Sequence, residues 1–355
     1  MSGKLCAGLE WRVAFSQVMT KNQQVDQTGK VCPQEDRRNL LLGLLAVLPR
    51  RVQGRAGSLY AKIESLRERI RDDELPLLFG KLLLVYQMPK TGSQTVEATL
   101  ARSSLPHRIL RFHYLSRTMA AEIRRGPASN SAPELWAEAV RPQLAFMGRM
   151  GRILFWRRIL RWFGFRIPKI EIIAAVRDPI GLALSSVFEN HACFFSNVET
   201  ATLEDFSSVL SRPRVYAFQR WFDMELKAFT GLRIYKTPFP REKGYAIYEN
   251  RFARILVYRF DALPRLPLML REFLNLEVAC VTDRNVGSSK QYADRYAWVK
   301  KNLRLPADLV AAQLNTKMIR HFYSPEERKI LQRQWSEPAL DEARPESVQG
   351  AIART

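Results

Sequence analysis

Cysteine, histidine and acidic side chains are the scarce materials of this 355-residue chain. The four cysteines (Cys6, Cys32, Cys193 and Cys280) stand far apart with no C-x-x-C pair. That spacing supports neither a zinc site nor a disulfide framework, and it favours a reducing, cytoplasmic setting with no bound metal. Asp and Glu number 35 against 56 Lys and Arg, a formal charge of +21. An excess of that size attracts anionic partners, whether nucleotides, acidic glycans, nucleic acid or anionic lipid. Long apolar runs are missing as well. The one compact leucine run, Leu40–Leu48 (LLLGLLAVL), is about half the roughly 20 residues that span a bilayer. It also follows too many polar residues to read as an ordinary signal peptide, so a buried helix segment is expected there. No repeat and no low-complexity tract interrupts the chain.

Three regions follow from patterning: an N-terminal extension over 1–57, an α/β domain over 58–335 and a C-terminal tail over 336–355. LYAKIESLRERIRDDEL, Leu59–Leu75, spaces Ile63, Leu66 and Ile70 as one helix face opposite Glu/Arg pairs. Four apolar runs then read as strands: Lys81–Tyr86, Arg108–Tyr114, Ile170–Val176 and Arg254–Phe260. Helical patterns such as APELWAEAVRPQLAFM and VYAFQRWFDMELKAF lie between them. Alternation of this kind implies a mainly parallel central sheet flanked by helices. In such sheets ligands bind beyond the carboxyl ends of the strands.

MPKTGSQT, Met88–Thr95, falls at such an end, after KLLLVYQ and before a helical stretch. A strand that turns through Lys-Thr-Gly-Ser and restarts as a helix aims backbone N–H groups and hydroxyls at one point, a natural seat for an anion. The nucleotide P-loop G-x-x-x-x-G-K-[ST] does not fit, because Lys90 precedes the glycine, Gly92. An ordinary strand-to-helix junction with a surface lysine remains the alternative. A second element, VRDPIGLALSSVF, starts at the end of the third strand. Arg177, Asp178 and Pro179 stop the strand, and Ser185 and Ser186 lie about two turns into the helix that follows. An arginine fork with a hydroxyl can grip a second phosphate at a distance from the first.

Taken together, PKTGSQT and RDPIGLALSSVF resemble the paired signature of sulfotransferases that use 3'-phosphoadenosine 5'-phosphosulfate (PAPS). More narrowly, RWFDMELKAFTGLRIYKTPFP, KGYAIYEN, ILVYRFDAL, NVGSSKQYADRY and RHFYSPEE resemble bacterial capsular polysaccharide synthesis proteins, over roughly residues 80–330. The resemblance implies a P-loop-like sulfotransferase fold. It implies that Lys90 contacts the bridging oxygen and the sulfonate, and that Thr91, Gly92, Ser93, Gln94 and Thr95 wrap the 5'-phosphate. Arg177 and Ser185 would take the 3'-phosphate, and Lys290 would close over the nucleotide. Asp261, in YRFDAL, matches a position of structural support.

The implied reaction moves a sulfuryl group to a carbohydrate hydroxyl, with a nucleotide donor and a glycan of a capsular or other surface polysaccharide as partners. The transferred group carries one negative charge, so a lysine and backbone N–H groups can stabilise it without magnesium. The attacking hydroxyl must lose its proton. His113 is the choice for general base, because it ends the second strand on the edge that carries Lys90; a packing role is its alternative. His107, His191 and His321 are less well placed. Glu97 is the reserve, and Glu189 with His191 either lines the acceptor cleft or ends a helix.

The segment RMGRILFWRRILRWFGFR, Arg149–Arg166, would as a helix set Arg157, Arg158 and Arg161 against Phe155, Trp156, Ile159, Leu160 and Phe163. Its aromatic face would pack on the sheet, or lie on an anionic membrane at the inner leaflet; its arginines would otherwise meet an acidic glycan. Two other functional classes compete: a basic polyanion or nucleic-acid binding protein, and a nucleotide kinase. The first gives no reason for two phosphate motifs at strand ends and shows no nucleic-acid motif. The second meets the wrong glycine–lysine order.

Overall fold

In a computed structural model, which describes residues 75–116, 133–162, 166–278, 280–282 and 291–336, the four apolar runs pair in one sheet. These residues belong to the second of two units into which the chain divides, Met1–Asp72 and Asp73–Thr355. The N-terminal extension, the Leu40–Leu48 run, the helix expected before Leu75, Lys290 and the tail from 337 onward lie outside the described residues.

The strands are β1 (Leu82–Tyr86), β2 (Arg108–Phe112), β3 (Ile170–Val176), β4 (Tyr245–Glu249) and β5 (Ala253–Arg259). The helices used below are α1 (Leu75–Phe79), α2 (Ser93–Ala101), α3 (Pro133–Trp162), α4 (Pro179–Glu189), α5 (Leu203–Leu210), α6 (Ala228–Thr230), α7 (Leu266–Leu274) and α8 (Ala293–Asn302).

The sheet order is β2-β1-β3-β5-β4, with parallel pairing except between β4 and β5. Strands buried on both faces need apolar side chains at every position, which is why LLLVY and IIAAV read as continuous runs. Successive residues serve opposite faces. Leu82, Leu84, Tyr86, Ile172, Ala174 and Ile255 join one core. Leu83, Val85, Ile173, Ala175, Leu256 and Tyr258 join another, beneath Val96 and Leu100 of α2 and Met269, Leu270 and Phe273 of α7.

From β1 the chain moves to one side to form β2, then crosses back to form β3 on the other side of β1. β1 is therefore the topological switch point, the place where sheets of this kind bind ligands between the loops that follow β1 and β3.

Three expectations change. β4 went unread: YAIYE is a short edge strand, half-exposed at Ala246 and Ile247, and it pairs antiparallel. VYAFQRWFDMELKAF is not a regular helix. It runs as a 3₁₀ turn (Pro213–Arg220), a π-helical turn (Phe222–Lys227) and then α6.

The partition of α3 also differs at two positions: Arg157 leaves the polar face for the core and Phe155 leaves the apolar face for solvent. Met147, Met150, Leu154 and Arg157 share its inward stripe at three- and four-residue spacing, and Arg157 is 1% exposed while Phe155 is 57% exposed. Arg157 Nη1 donates to the carbonyl oxygens of Leu77, Leu78 and Gly80 at 2.7, 2.9 and 3.0 Å, and Nη2 to Pro168 O at 2.8 Å. Those first carbonyls end α1 and have no partner within their own helix. The need for donors there outweighs the preference of an arginine for water.

Candidate functional site

The loop after β1 is built from strained and buried parts. Lys90 has φ 62° and Gly92 φ 81°, both left-handed, a conformation that costs a non-glycine residue about 1–2 kcal/mol. At Gly92 a Cβ would also lie 3.0 Å from Leu263 Cδ2 and 3.4 Å from Phe260 Cε2, so this position needs glycine for conformation and for space. Thr91 is fully buried, and its hydroxyl donates to Met88 O at 2.6 Å. Gln87 Nε2 and the Tyr258 hydroxyl both donate to Thr91 O, at 3.1 and 3.2 Å. The hydroxyl and the carbonyl of Thr91 are thus both used within the protein. Ser93 and Thr95 are buried and Gln94 is exposed in the first turn of α2, whose positive end points at the loop.

Arg177, at the end of β3, closes on this loop from the neighbouring strand. Its Nη1 donates to Lys90 O at 3.0 Å, Nη2 lies 3.5 Å from the Tyr296 hydroxyl, and its guanidinium sits 4.5 Å from the Phe260 ring centroid. Asp178 caps α4, its Oδ1 accepting from Gly181 N at 2.5 Å, while its Oδ2 stays 3.9 Å from Arg177 Nε. Phe260 therefore touches Arg177 and crowds Gly92, which brings the carboxyl ends of β1, β3 and β5 together.

Ser185 and Glu189 are one turn apart on α4 and share a face. Glu189 reaches Lys90, Oε2 to Nζ at 2.9 Å, and accepts from the Tyr292 hydroxyl at 3.1 Å. The face that carries half-buried Ser185 is thus the one turned toward the loop. Tyr292 and Tyr296, at and within the start of α8, reach both Glu189 and Arg177. NVGSSKQYADRY accordingly meets the site through tyrosines among the described residues.

His113 lies just beyond β2. Its Nδ1 is 2.8 Å from Gln87 O; a carbonyl only accepts, so Nδ1 carries the proton and Nε2 the lone pair. Burial pushes the imidazole below its ordinary value, and Arg111 and Lys90 push it further down, while the Gln87 contact opposes. The ring is a neutral base near pH 7, close enough to Lys90 to feel its charge. Glu97 is committed to Arg111, Oε2 to Nε at 2.6 Å, which is the helix-face role rather than the reserve one. Asp261 pairs with Arg259, which also binds Glu327 at 2.5 Å and faces the Tyr323 ring; these contacts suit structural support. His107 pairs with Glu171, and His321 packs against Tyr235 and Phe322.

The arrangement can hold two anionic groups: one at Lys90 and the start of α2, another at Arg177 and the Ser185 face of α4. The neutral imidazole of His113 lies just beyond the end of the strand next to β1, held on Gln87 O. Among the described residues there is no cluster able to hold a metal ion and no helix long and apolar enough to cross a membrane.

Glu225, Trp221, Tyr292 and Tyr296 were not singled out by sequence reasoning, and Glu189 was named for the acceptor cleft or a helix end rather than as the partner of Lys90. The signal available for the first two was the aromatic-rich RWFDMEL around a carboxylate. No curated protein and no solved structure matches the chain. Residues 200–324, about a third of the chain, match the NKWYS family model, described as "Putative capsular polysaccharide synthesis protein", and this segment supplies Trp221, Glu225, Phe260, Tyr292 and Tyr296 to the surroundings of the site.

Proposed function

We propose that this chain is a sulfotransferase that moves a sulfuryl group from PAPS to a hydroxyl of a carbohydrate during synthesis of a surface polysaccharide. One observation carries the reading: the Arg177 guanidinium and the Lys90 loop lie on adjacent parallel strands at the switch point, bonded to each other. Two phosphate-type anchors so joined suit a single nucleotide that bears groups at both ends. The family match adds the polysaccharide context.

The residues fit such a donor. Gly92 packs closely under Leu263 and Phe260 and so fixes the loop; Lys90 and the first turn of α2 would hold the 5' end, and Arg177 with Ser185 would hold the 3'-phosphate. The donor supplies the sulfuryl group and a phosphate leaving oxygen. Lys90 exchanges Glu189 for the donor's charge and stabilises the leaving oxygen as negative charge builds there. The backbone N–H groups of the loop do the same without reorganising. His113 Nε2 takes the proton of the attacking sugar hydroxyl, and the Gln87 carbonyl steadies the ring as it becomes cationic.

Binding and transfer assays test this reading. The adenosine 3',5'-bisphosphate product is expected to bind at micromolar concentration and to raise the melting temperature, with ATP much weaker, and labelled sulfate should pass from donor to a glycan in a bacterial polysaccharide panel. Equal stabilisation by ATP and the bisphosphate would overturn the assignment.

A further inference from the structure

The segment that leaves β2 is held by side chains more than a hundred positions away. Glu225 is 1% exposed within the π-helical turn. Its Oε2 accepts from Leu115 N at 2.7 Å, from Ser116 N at 2.9 Å and from the Tyr86 hydroxyl, and its Oε1 accepts from Ser116 Oγ at 2.5 Å. Trp221, one turn earlier, donates its indole N–H to His113 O at 2.8 Å. The His113 ring itself is bonded to Gln87 O at 2.8 Å. The Tyr86 ring lies 4.9 Å from Trp221 and 4.8 Å from Phe112, so the clamp is packed on its apolar side as well.

We propose that Glu225, with Trp221, is a positioning residue: it fixes the backbone of His113–Ser116 so that the His113 ring keeps its place against the Gln87 carbonyl, three residues before Lys90. The inference rests on His113 being the base of the reading above. Trp221 and Glu225 are spaced to project from one side of their helix, and both point at this one loop. π-helical turns are rare and frequently found at functional sites. A buried carboxylate is a costly way to stabilise a core, since apolar side chains of similar volume often serve as well or better. What it adds is geometry: two consecutive amides and two hydroxyls converge on one carboxylate, and none of the four can shift without leaving a buried charge short of donors.

The test follows the His113 ring by proton NMR titration without any substrate, with its signal assigned by loss in His113→Gln. Glu225→Ala is expected to move the His113 transition up toward 6.5 and to speed hydrogen exchange at the Leu115 and Ser116 amides. Glu225→Gln should stay near the parent, because its carbonyl oxygen can accept the same three donors and its NH₂ can donate to Ser116 Oγ. A Glu225→Ala protein that melts lower but titrates at His113 like the parent overturns the proposal. If that variant does not fold, the Ser116→Ala/Trp221→Phe double variant decides in the same way: an upward shift supports the clamp and an unmoved titration overturns it. In the transfer assay Glu225→Ala should lose about 10²-fold in kcat with bisphosphate affinity unchanged. A moved titration with no transfer activity in the parent would sink the sulfotransferase reading and leave the clamp standing.

Discussion

Arg177 Nη1 donates to the backbone carbonyl oxygen of Lys90 across 3.0 Å. The residue expected to grip a phosphate at the end of β3 thus also holds the loop expected to grip the other end of the same ligand. Arg177→Ala should lower affinity for adenosine 3',5'-bisphosphate about 10- to 100-fold, the loss of charge-assisted hydrogen bonds worth about 1.5–3 kcal/mol. ATP, which lacks the 3'-phosphate, should lose less. Arg177→Lys keeps the charge but not the planar fork, and should recover only part of the loss. Calorimetric titration of both nucleotides checks this; unchanged bisphosphate affinity in Arg177→Ala would remove the second anchor.

Lys90 and Glu189 form an ion pair, which under the proposed function an incoming donor would have to replace. At 37% exposure the Glu189 carboxylate is well screened, and such pairs are worth about 0.2–1 kcal/mol. Glu189→Gln should therefore tighten bisphosphate binding modestly, about two- to fivefold, and Tyr292→Phe should do so by less. Lys90→Ala should cut transfer by about 10²- to 10³-fold, the usual effect of deleting a pre-organised charge donor. If Glu189→Gln weakens bisphosphate binding instead, the carboxylate is part of the nucleotide site and not its stand-in.

The lowered His113 sets a direction for pH. Its neutral form is favoured in the folded chain, so the base is available above the ordinary value of 6.5 and is lost as pH falls below it toward the folded value. Turnover should be level from pH 7 to 8 and decline only below 6.5. His321 is lowered too, by burial and by Arg241 and Lys317. The unfolded chain then binds more protons than the folded one below 6.5, so both histidines withdraw stability as pH falls through that window. Melting temperature against pH should show a drop there that His113→Gln reduces; an unchanged profile in that variant would place the titration elsewhere.

The sheet was legible wherever strands are buried on both faces, because continuous runs such as IIAAV have no other easy use. β4 escaped because an edge strand with half-exposed residues lacks that mark. The turn at Lys90 and the stop at Arg177 were legible for a related reason: strand, turn and helix are written consecutively in the chain. Glu189 on Lys90, Glu225 on Ser116 and Tyr296 near Arg177 join residues about a hundred or more positions apart, and each looks locally like an ordinary polar residue on a helix. Thr91 shows the converse. Its hydroxyl matched a ligand-binding pattern by type, but the tight turn uses it internally.

Arg157 offers the clearest trial of structure against sequence pattern. Local periodicity groups Arg157 with Arg158 and Arg161 on one solvated face, which predicts that removing any of them is nearly silent. The structure separates them: Arg158 is exposed, while Arg157 is buried and donates to four carbonyl oxygens, two of them buried and two half-buried, and burial pushes its guanidinium down to about 10, still charged at neutral pH. Arg157→Met preserves length and apolar volume but leaves those acceptors without donors, at about 1–3 kcal/mol for each that water cannot reach. A loss of about 3 kcal/mol is expected, lowering the melting temperature by roughly 6–12 °C for a domain of this size. Arg158→Met should stay within about 0.5 kcal/mol. Equal melting temperatures for the two variants would mean that the α1 carbonyls find water or other donors, and that the solvated-face reading of α3 was right after all.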